Sequence, residues 1–142
     1  MRGIQTDTGY LLRAEKGEQL LEAIGAFARQ HEIRCASLTG IGAVSDVEIG
    51  FFHAADKRYE RRKLSGEFEL LQLTGNLSLF EGQRMVHAHV VLGDADYRCW
   101  GGHLFAATVA VTVEIHLLPL AAEVHRELDP DLGIGLLNLP EI

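Results

Sequence analysis

The chain has 142 residues, 47% of them hydrophobic and 23% charged, with a formal net charge of -7 at pH 7. That length and apolar content suffice for one packed core, which excludes a disordered chain and a disulfide-stapled miniature domain. The negative balance argues against unaided binding to a DNA backbone, because neutralisation of phosphates by Lys and Arg supplies most non-specific affinity.

Cys35 and Cys99 are the only cysteines. With no leading apolar segment and no basic amphipathic leader, they predict a reduced, cytoplasmic protein with free thiols. No membrane span is expected, because even the apolar run 106–120 is broken by Thr108, Thr112, Glu114 and His116.

In chain order, Tyr10, Leu11, Leu12, Arg13 and Ala14 read as a short strand after Gly9. From Lys16-Gly17-Glu18 a helix begins, whose apolar positions Leu20, Leu21, Ile24, Phe27 and Ala28 follow the three-four spacing of one buried stripe. Gln19, Glu22, Arg29 and Gln30 take its outer face. A strand over 35–38 ends at Thr39-Gly40-Ile41-Gly42-Ala43, where two glycines allow a tight backbone path. This pair is no nucleotide loop, since it lacks a third glycine and no helical pattern follows. Val47, Ile49 and Phe51 alternate with Asp46, Glu48 and Gly50, as a half-buried strand requires.

Lys57, Arg58, Arg61, Arg62 and Lys63 form a basic cluster interleaved with Asp56, Tyr59 and Glu60, which reads as a solvated loop rather than a phosphate grip. Two strands over 68–73 and 77–80 flank a break at Gly75-Asn76, and Glu81-Gly82 turns into the next strand. Glu69 interrupts the apolar run Phe68-Leu70-Leu71, so it sits at a sheet edge in water or is paired in a site.

The chemistry concentrates in residues 86–104, which hold three of the seven histidines. His87 and His89 lie two apart in an apolar run, and on a strand that spacing puts both rings on one face. Gly93-Asp94-Ala95-Asp96 reads as a turn and Tyr97-Arg98-Cys99-Trp100 as the returning strand. A hairpin centred near Ala95 brings His103 opposite His87, and Gly101-Gly102 would supply a bulge that aims His103 inward. Three neutral imidazoles leave a fourth tetrahedral position open, the arrangement of catalytic rather than structural zinc. Zinc is the first expectation, although nickel, copper and iron also accept imidazole. The alternative is that His87 and His89 are surface histidines on the solvated face of an amphipathic strand.

The strand 107–117 puts Ala107, Val109, Val111, Val113, Ile115 and Leu117 on one face and Thr108, Ala110, Thr112, Glu114 and His116 on the other. That second face lines a cleft or a subunit contact, or is a sheet face open to water. In the tail, a short amphipathic piece over 123–128 precedes Leu136, Leu137, Leu139 and Ile142. These are too apolar for a free end and should dock on this chain or on a neighbour.

One clear helix and about seven strands joined by short turns define an α+β fold, an antiparallel sheet with one main helix packed on it. Residues 1–142 are read as a single domain, with 119–142 as a docking C-terminal extension. The spaced motifs Gly40-Ile41-Gly42-Ala43-Val44-Ser45-Asp46, Gly66-Glu67-Phe68-Glu69-Leu70-Leu71, Gly75-Asn76, His87-Ala88-His89 and Gly101-Gly102-His103-Leu104 resemble those of the PPC domain, a family shared by plants and prokaryotes. The match runs in order over nearly the whole chain. The resemblance implies a homotrimer with a histidine-bound metal, and the family's histidine motifs fall on His87, His89 and His103. Plant members carry an AT-hook ahead of the domain and act in transcriptional control. These residues contain no such segment, since Arg2-Gly3 is followed by Ile4, so a direct DNA-binding role is not expected. The fold is also similar to that of acetolactate decarboxylase, a zinc enzyme with an HxH pair and a later histidine, at the level of fold and ligands only.

Two functions follow. The first is a trimeric metal-binding module with an assembly or regulatory role, associated with DNA only through the resemblance. The second is a small zinc-dependent enzyme, a lyase or hydrolase acting on a small carbonyl or carboxylate compound. In the second, Glu69 or Glu114 transfers protons and Arg98 clamps an anion beside the metal. Glu114 could equally pair with a basic residue across an interface, and Arg98 could cover Trp100.

Overall fold

Leu20, Ile24 and Ala28 recur at helical spacing, and in the computed structural model, which describes residues 1–141, they are buried on helix α1, Leu20–Gln30. Each fully buried Leu or Ile side chain contributes about 1.5–3 kcal/mol, so this stripe holds α1 against the sheet. Gln19 makes no side-chain cap to the helix. Its Nε2 donates instead to Thr108 Oγ1 at 2.9 Å, tying the helix start to a strand. The helix ends where Glu32, at φ 56°, takes the left-handed conformation and Ile33 N–H returns to the Ala28 carbonyl.

The strands are β1 (Arg2–Gln5), β2 (Tyr10–Glu15), β3 (Ala36–His53), β4 (Arg58–Phe80), β5 (Gln83–Gly93), β6 (Cys99–Pro119), β7 (His125–Asp129) and β8 (Ile134–Asn138). Their order is β1-β2-β6-β3-β4-β7-β8, and β5 pairs with both β4 and β6, so the four long strands close on themselves. Pairing is antiparallel except between β4 and β7. Leu38, Leu73, Leu77, Leu92 and Ile115 of these strands share one buried cluster with Leu20 and Ile24 of α1. The α+β architecture is as expected, an antiparallel sheet with one helix, but the strands are longer and number eight.

Three expected breaks are continuous strand. Residues 39–43 lie within β3, Gly75-Asn76 within β4, and the basic residues 58–63 pair with 48–53 of β3. Glycine and charge interrupt apolar periodicity, but the ladder is made by backbone N–H and C=O groups, which neither interrupts. Irregularity appears instead as register shifts at Gly40/Gly42 and Ser45/Val47. On β6, Val111 is 65% exposed rather than buried with Val109 and Val113. Gly42 faces Val113 and Val44 faces Val109, so residues 110–112 share one partner position and the strand bows out at Val111.

The short amphipathic tail piece is strand from His125 onward. β7 adds to the edge of β4 through the parallel pairs Leu79–His125 and Phe80–Arg126, and β8 folds back on β7. Leu136, Leu137 and Leu139 remain 40%, 38% and 60% exposed. Ile142 lies outside the described residues. No helix among the described residues is long and apolar enough to cross a membrane.

Candidate metal centre

Alternation along β5 buries Ala88, Val90 and Leu92 and therefore turns His87 and His89 to the opposite side. The adjoining strand β6 sets His103 directly across from His89. Ring centroids are 5.3 Å apart for His87 and His89, 5.0 Å for His87 and His103, and 5.4 Å for His89 and His103. One nitrogen from each ring lies within 4.8 Å of the others. Two imidazole nitrogens on a single zinc ion sit at most about 4.2 Å apart, twice the metal–nitrogen distance, so only small ring movements separate this cluster from a ligand set.

His103 pairs with His89 rather than with His87, because the turn is centred one residue later than its composition suggests. Gly93 pairs with Cys99, leaving 94–98 as the turn. Asp94 dictates that length: its Oδ1 accepts from the N–H groups of Asp96 and Arg98 at 2.9 Å each, and its Oδ2 from Trp100 Nε1 at 3.0 Å. Tyr97 takes φ 61° within the turn. Moving the centre by one residue moves the partner by two, so His103 keeps its face. Gly101 and Gly102 form no bulge against β5, pairing in unbroken register with Val91 and Val90. They serve close approach, since a Cβ on Gly102 would stand 2.7 Å from the Gly50 carbonyl oxygen.

The surroundings keep two of the rings neutral. Burial pushes the His103 pKa down to about 4, helped by the neighbouring His87, His89, Arg126 and Arg61. Burial also lowers that of His87, followed by the charges of Arg126 and His89. Neutral imidazole is the form that binds a metal. The rings of Tyr59 and Phe105 pack on His103, with centroids at 5.1 and 4.6 Å, and Arg61 covers Phe105 at 3.9 Å. His103 Nδ1 is buried with no hydrogen-bond partner in the protein. An orphaned buried polar atom costs about 1–3 kcal/mol, a cost that a metal or its ligand would relieve. Three imidazoles and an unsatisfied nitrogen fit a divalent transition ion with a position left open.

Arg126, on β7, completes the site and carries no local sign of it in the sequence. It is 8% exposed. Its Nε donates to Ser78 Oγ at 2.8 Å, Nη1 to the Gly135 carbonyl at 2.8 Å, and Nη2 to Asn76 Oδ1 and His87 Nδ1 at 3.0 Å each. A guanidinium can only donate, so His87 Nδ1 accepts and the proton of its neutral ring sits on Nε2. Among the described residues Arg126 has no acidic partner.

The expected acid–base and anion-binding residues are elsewhere. Glu69 is exposed opposite Gly93, five residues along β4 from the Thr74 that faces His89, roughly 17 Å at the rise of a strand. Glu114 is exposed opposite Arg13, eleven residues along β6 from His103, roughly 36 Å by the same rise. Arg98 is exposed in the turn, where it pairs with Asp96 at 3.2 Å and does not cover Trp100; Arg62 lies over that ring instead. No carboxylate joins the histidine cluster among the described residues.

The family model for the Plants and Prokaryotes Conserved (PCC) domain matches residues 1–121. The fold superposes on a plant- and prokaryote-conserved (PPC) protein from Pyrococcus horikoshii with a TM-score of 0.86 and 32% identity, covering 99% of this chain and 97% of that one. A metal-containing protein from Archaeoglobus fulgidus gives 0.86 and 33%, over 98% and 100%. A candidate DNA-binding protein from Ralstonia eutropha JMP134 gives 0.89 and 30%, over 97% and 96%. Among curated sequences, the bifunctional protein GlmU of a Synechococcus strain is 32% identical over 131 residues, 92% of this chain but 20% of that protein. The chain thus spans about a fifth of the length of the curated relatives it matches.

Proposed function

The chain belongs to the Plants and Prokaryotes Conserved domain family, and from that premise we propose that it is a cytoplasmic, homotrimeric metal-binding module whose His87, His89 and His103 hold a zinc ion. The observation that carries this reading is the convergence of three imidazoles, one nitrogen of each within 4.8 Å of the others, beside which the buried His103 Nδ1 has no partner in the protein. The metal-containing relative from Archaeoglobus fulgidus supports it. A bound divalent ion would offer a Lewis-acidic position to a small molecule. This chain's own residues would present the three nitrogens, keep two of the rings neutral by burial, and wall the site with Tyr59 and Phe105.

Assembly into a trimer is supported by apolar side chains that the single chain leaves in water, Ile41, Leu71, Val91 and Val111 along the sheet and Leu136, Leu137 and Leu139 in the tail. A regulatory association with DNA, such as the kinship to candidate DNA-binding proteins suggests, would run through a partner. The formal charge is -7. The basic residues of β4 are partly neutralised, Arg61 by Glu48 at 2.9 Å and Arg58 by Asp56 at 3.6 Å. Among the described residues no carboxylate stands at the histidines to carry a proton for the enzyme reading, so the binding module is preferred.

Elemental analysis of protein purified without a nickel column tests the assignment. About one divalent ion per chain is expected, with none retained after His89→Ala and full content after His116→Ala. Stoichiometric metal in the His89→Ala protein would sink the ligand set.

A further inference from the structure

Arg126 is a buried cation without an acidic partner among the described residues, and it touches a metal-ligand candidate directly. Burying a charge without an opposite one is strongly unfavourable, even where neutral groups satisfy its hydrogen bonds. Its hydrogen-bond partners are a hydroxyl, a carbonyl, an amide and an imidazole, all uncharged. Once a divalent ion is bound through three neutral rings, the corner between β5, β6 and β7 concentrates positive charge with no carboxylate in the cluster. A negative group there would offset that charge.

The tautomer of His87 adds a second argument. Arg126 Nη2 donates to His87 Nδ1. A neutral His87 that ligates through Nδ1 gives up the same lone pair; one that ligates through Nε2 carries its proton on Nδ1 and becomes a donor facing a donor. Either way the hydrogen bond ends when His87 becomes a ligand, and an N–H of Arg126 is left without its acceptor beside the open coordination position. A guanidinium N–H so released is suited to a carboxylate or phosphate oxygen.

Resting on the metal-binding reading, we propose that Arg126 and the metal form a two-point site for a small oxyanion, one oxygen on the ion and one accepting from the guanidinium. Arg126 thereby selects anionic ligands, the role that Arg98 is too distant and too exposed to play.

The test is calorimetric titration of metal-loaded protein with inorganic phosphate and, separately, acetate, at low chloride. Loaded wild-type protein should bind at least one of them, and the tighter of the two identifies the oxyanion class. Arg126→Met should weaken binding about ten-fold or more, the loss of one charge-assisted hydrogen bond, whereas Arg98→Met should change nothing. Metal affinity of Arg126→Met should not fall below wild type, because the competitor for His87 is gone, and amide resonances of β7 and β8 at their wild-type positions exclude a tail that merely failed to fold. In the unsubstituted loaded protein, the ¹⁵N resonance of Arg126 Nε should shift on adding the anion. Undiminished binding in Arg126→Met, no binding by loaded wild type, or an unmoved Arg126 resonance would overturn the oxyanion site while leaving the metal reading intact. Protein that loads no metal would overturn both.

Discussion

Gly75→Ala is the perturbation that most directly links the sheet to the histidine cluster. Gly75 of β4 faces Ala88, the residue between His87 and His89. A Cβ built on Gly75 would stand 2.1 Å from the His87 carbonyl oxygen, 2.8 Å from Ala88 Cα and 3.0 Å from Ala88 Cβ. None of these atoms is the flexible end of a side chain, and Ala88 is 1% exposed, so the strain cannot be relieved by a rotamer change. Restoring an ordinary contact of 3.4 Å requires β4 and β5 to part by about 1.3 Å. Two ladder hydrogen bonds stretched or lost cost about 1 kcal/mol each. Overpacking adds about 1–3 kcal/mol, and alanine recovers about 0.5–1 kcal/mol of backbone entropy. The net destabilisation is about 2–4 kcal/mol, a large share of the roughly 5–15 kcal/mol that holds a domain together. Urea unfolding of the metal-free protein measures it, and metal titration should show weaker binding because both flanking histidines move with Ala88. Gly82→Ala is the control. It meets nothing within 4 Å and pays only for its φ of 75°, about 1–2 kcal/mol, with metal binding intact. A Gly75→Ala protein within 0.5 kcal/mol of wild type and with full metal affinity would refute the close approach on which the site geometry depends.

The pH response of metal-free protein follows from His103, whose pKa falls from 6.5 to about 4 on folding. The unfolded chain takes up the proton first, so stability is complete above pH 6.5 and declines as the pH drops toward 4, by on the order of 1–3 kcal/mol once solvent screening of a half-buried ring is allowed for. The difference in urea midpoint between wild type and His103→Gln isolates this contribution from that of titrating carboxylates, and a difference that does not change over that interval would contradict it. Gel-shift titration at physiological salt should find only weak, non-specific DNA binding, as the charge of -7 requires; a sequence-specific nanomolar complex would show that the basic part of β4 has been misjudged. Light scattering should report three times the 15.6 kDa chain mass, and removal of residues 136–142 should weaken assembly or solubility. A monomer with unchanged metal content is the contrary result.

What could be read from the residues alone is what depends on local spacing. Helix α1 is legible because Leu20, Ile24 and Ala28 mark its buried face within three turns. The shared face of His87 and His89 is legible because strand alternation needs only neighbouring residues. His103 is within reach because a short turn joins its strand to theirs; the register missed by one turn residue only because Asp94 sets the loop length through side-chain hydrogen bonds that composition does not reveal. The continuity of β3 and β4 through their glycines and charges was decided by partners elsewhere in the chain, since a backbone ladder forms wherever another strand lies alongside. Glu69, Glu114 and Arg98 looked suitable by residue type but are placed by long strands that carry them away from the cluster. Arg126 shows the converse. It stands 39 residues from His87 in the chain, and only the parallel addition of β7 to the edge of β4 brings it there. No periodicity within either segment encodes that meeting, because a contact between distant strands is specified by the packing of the whole sheet and not by the residues on either side of it.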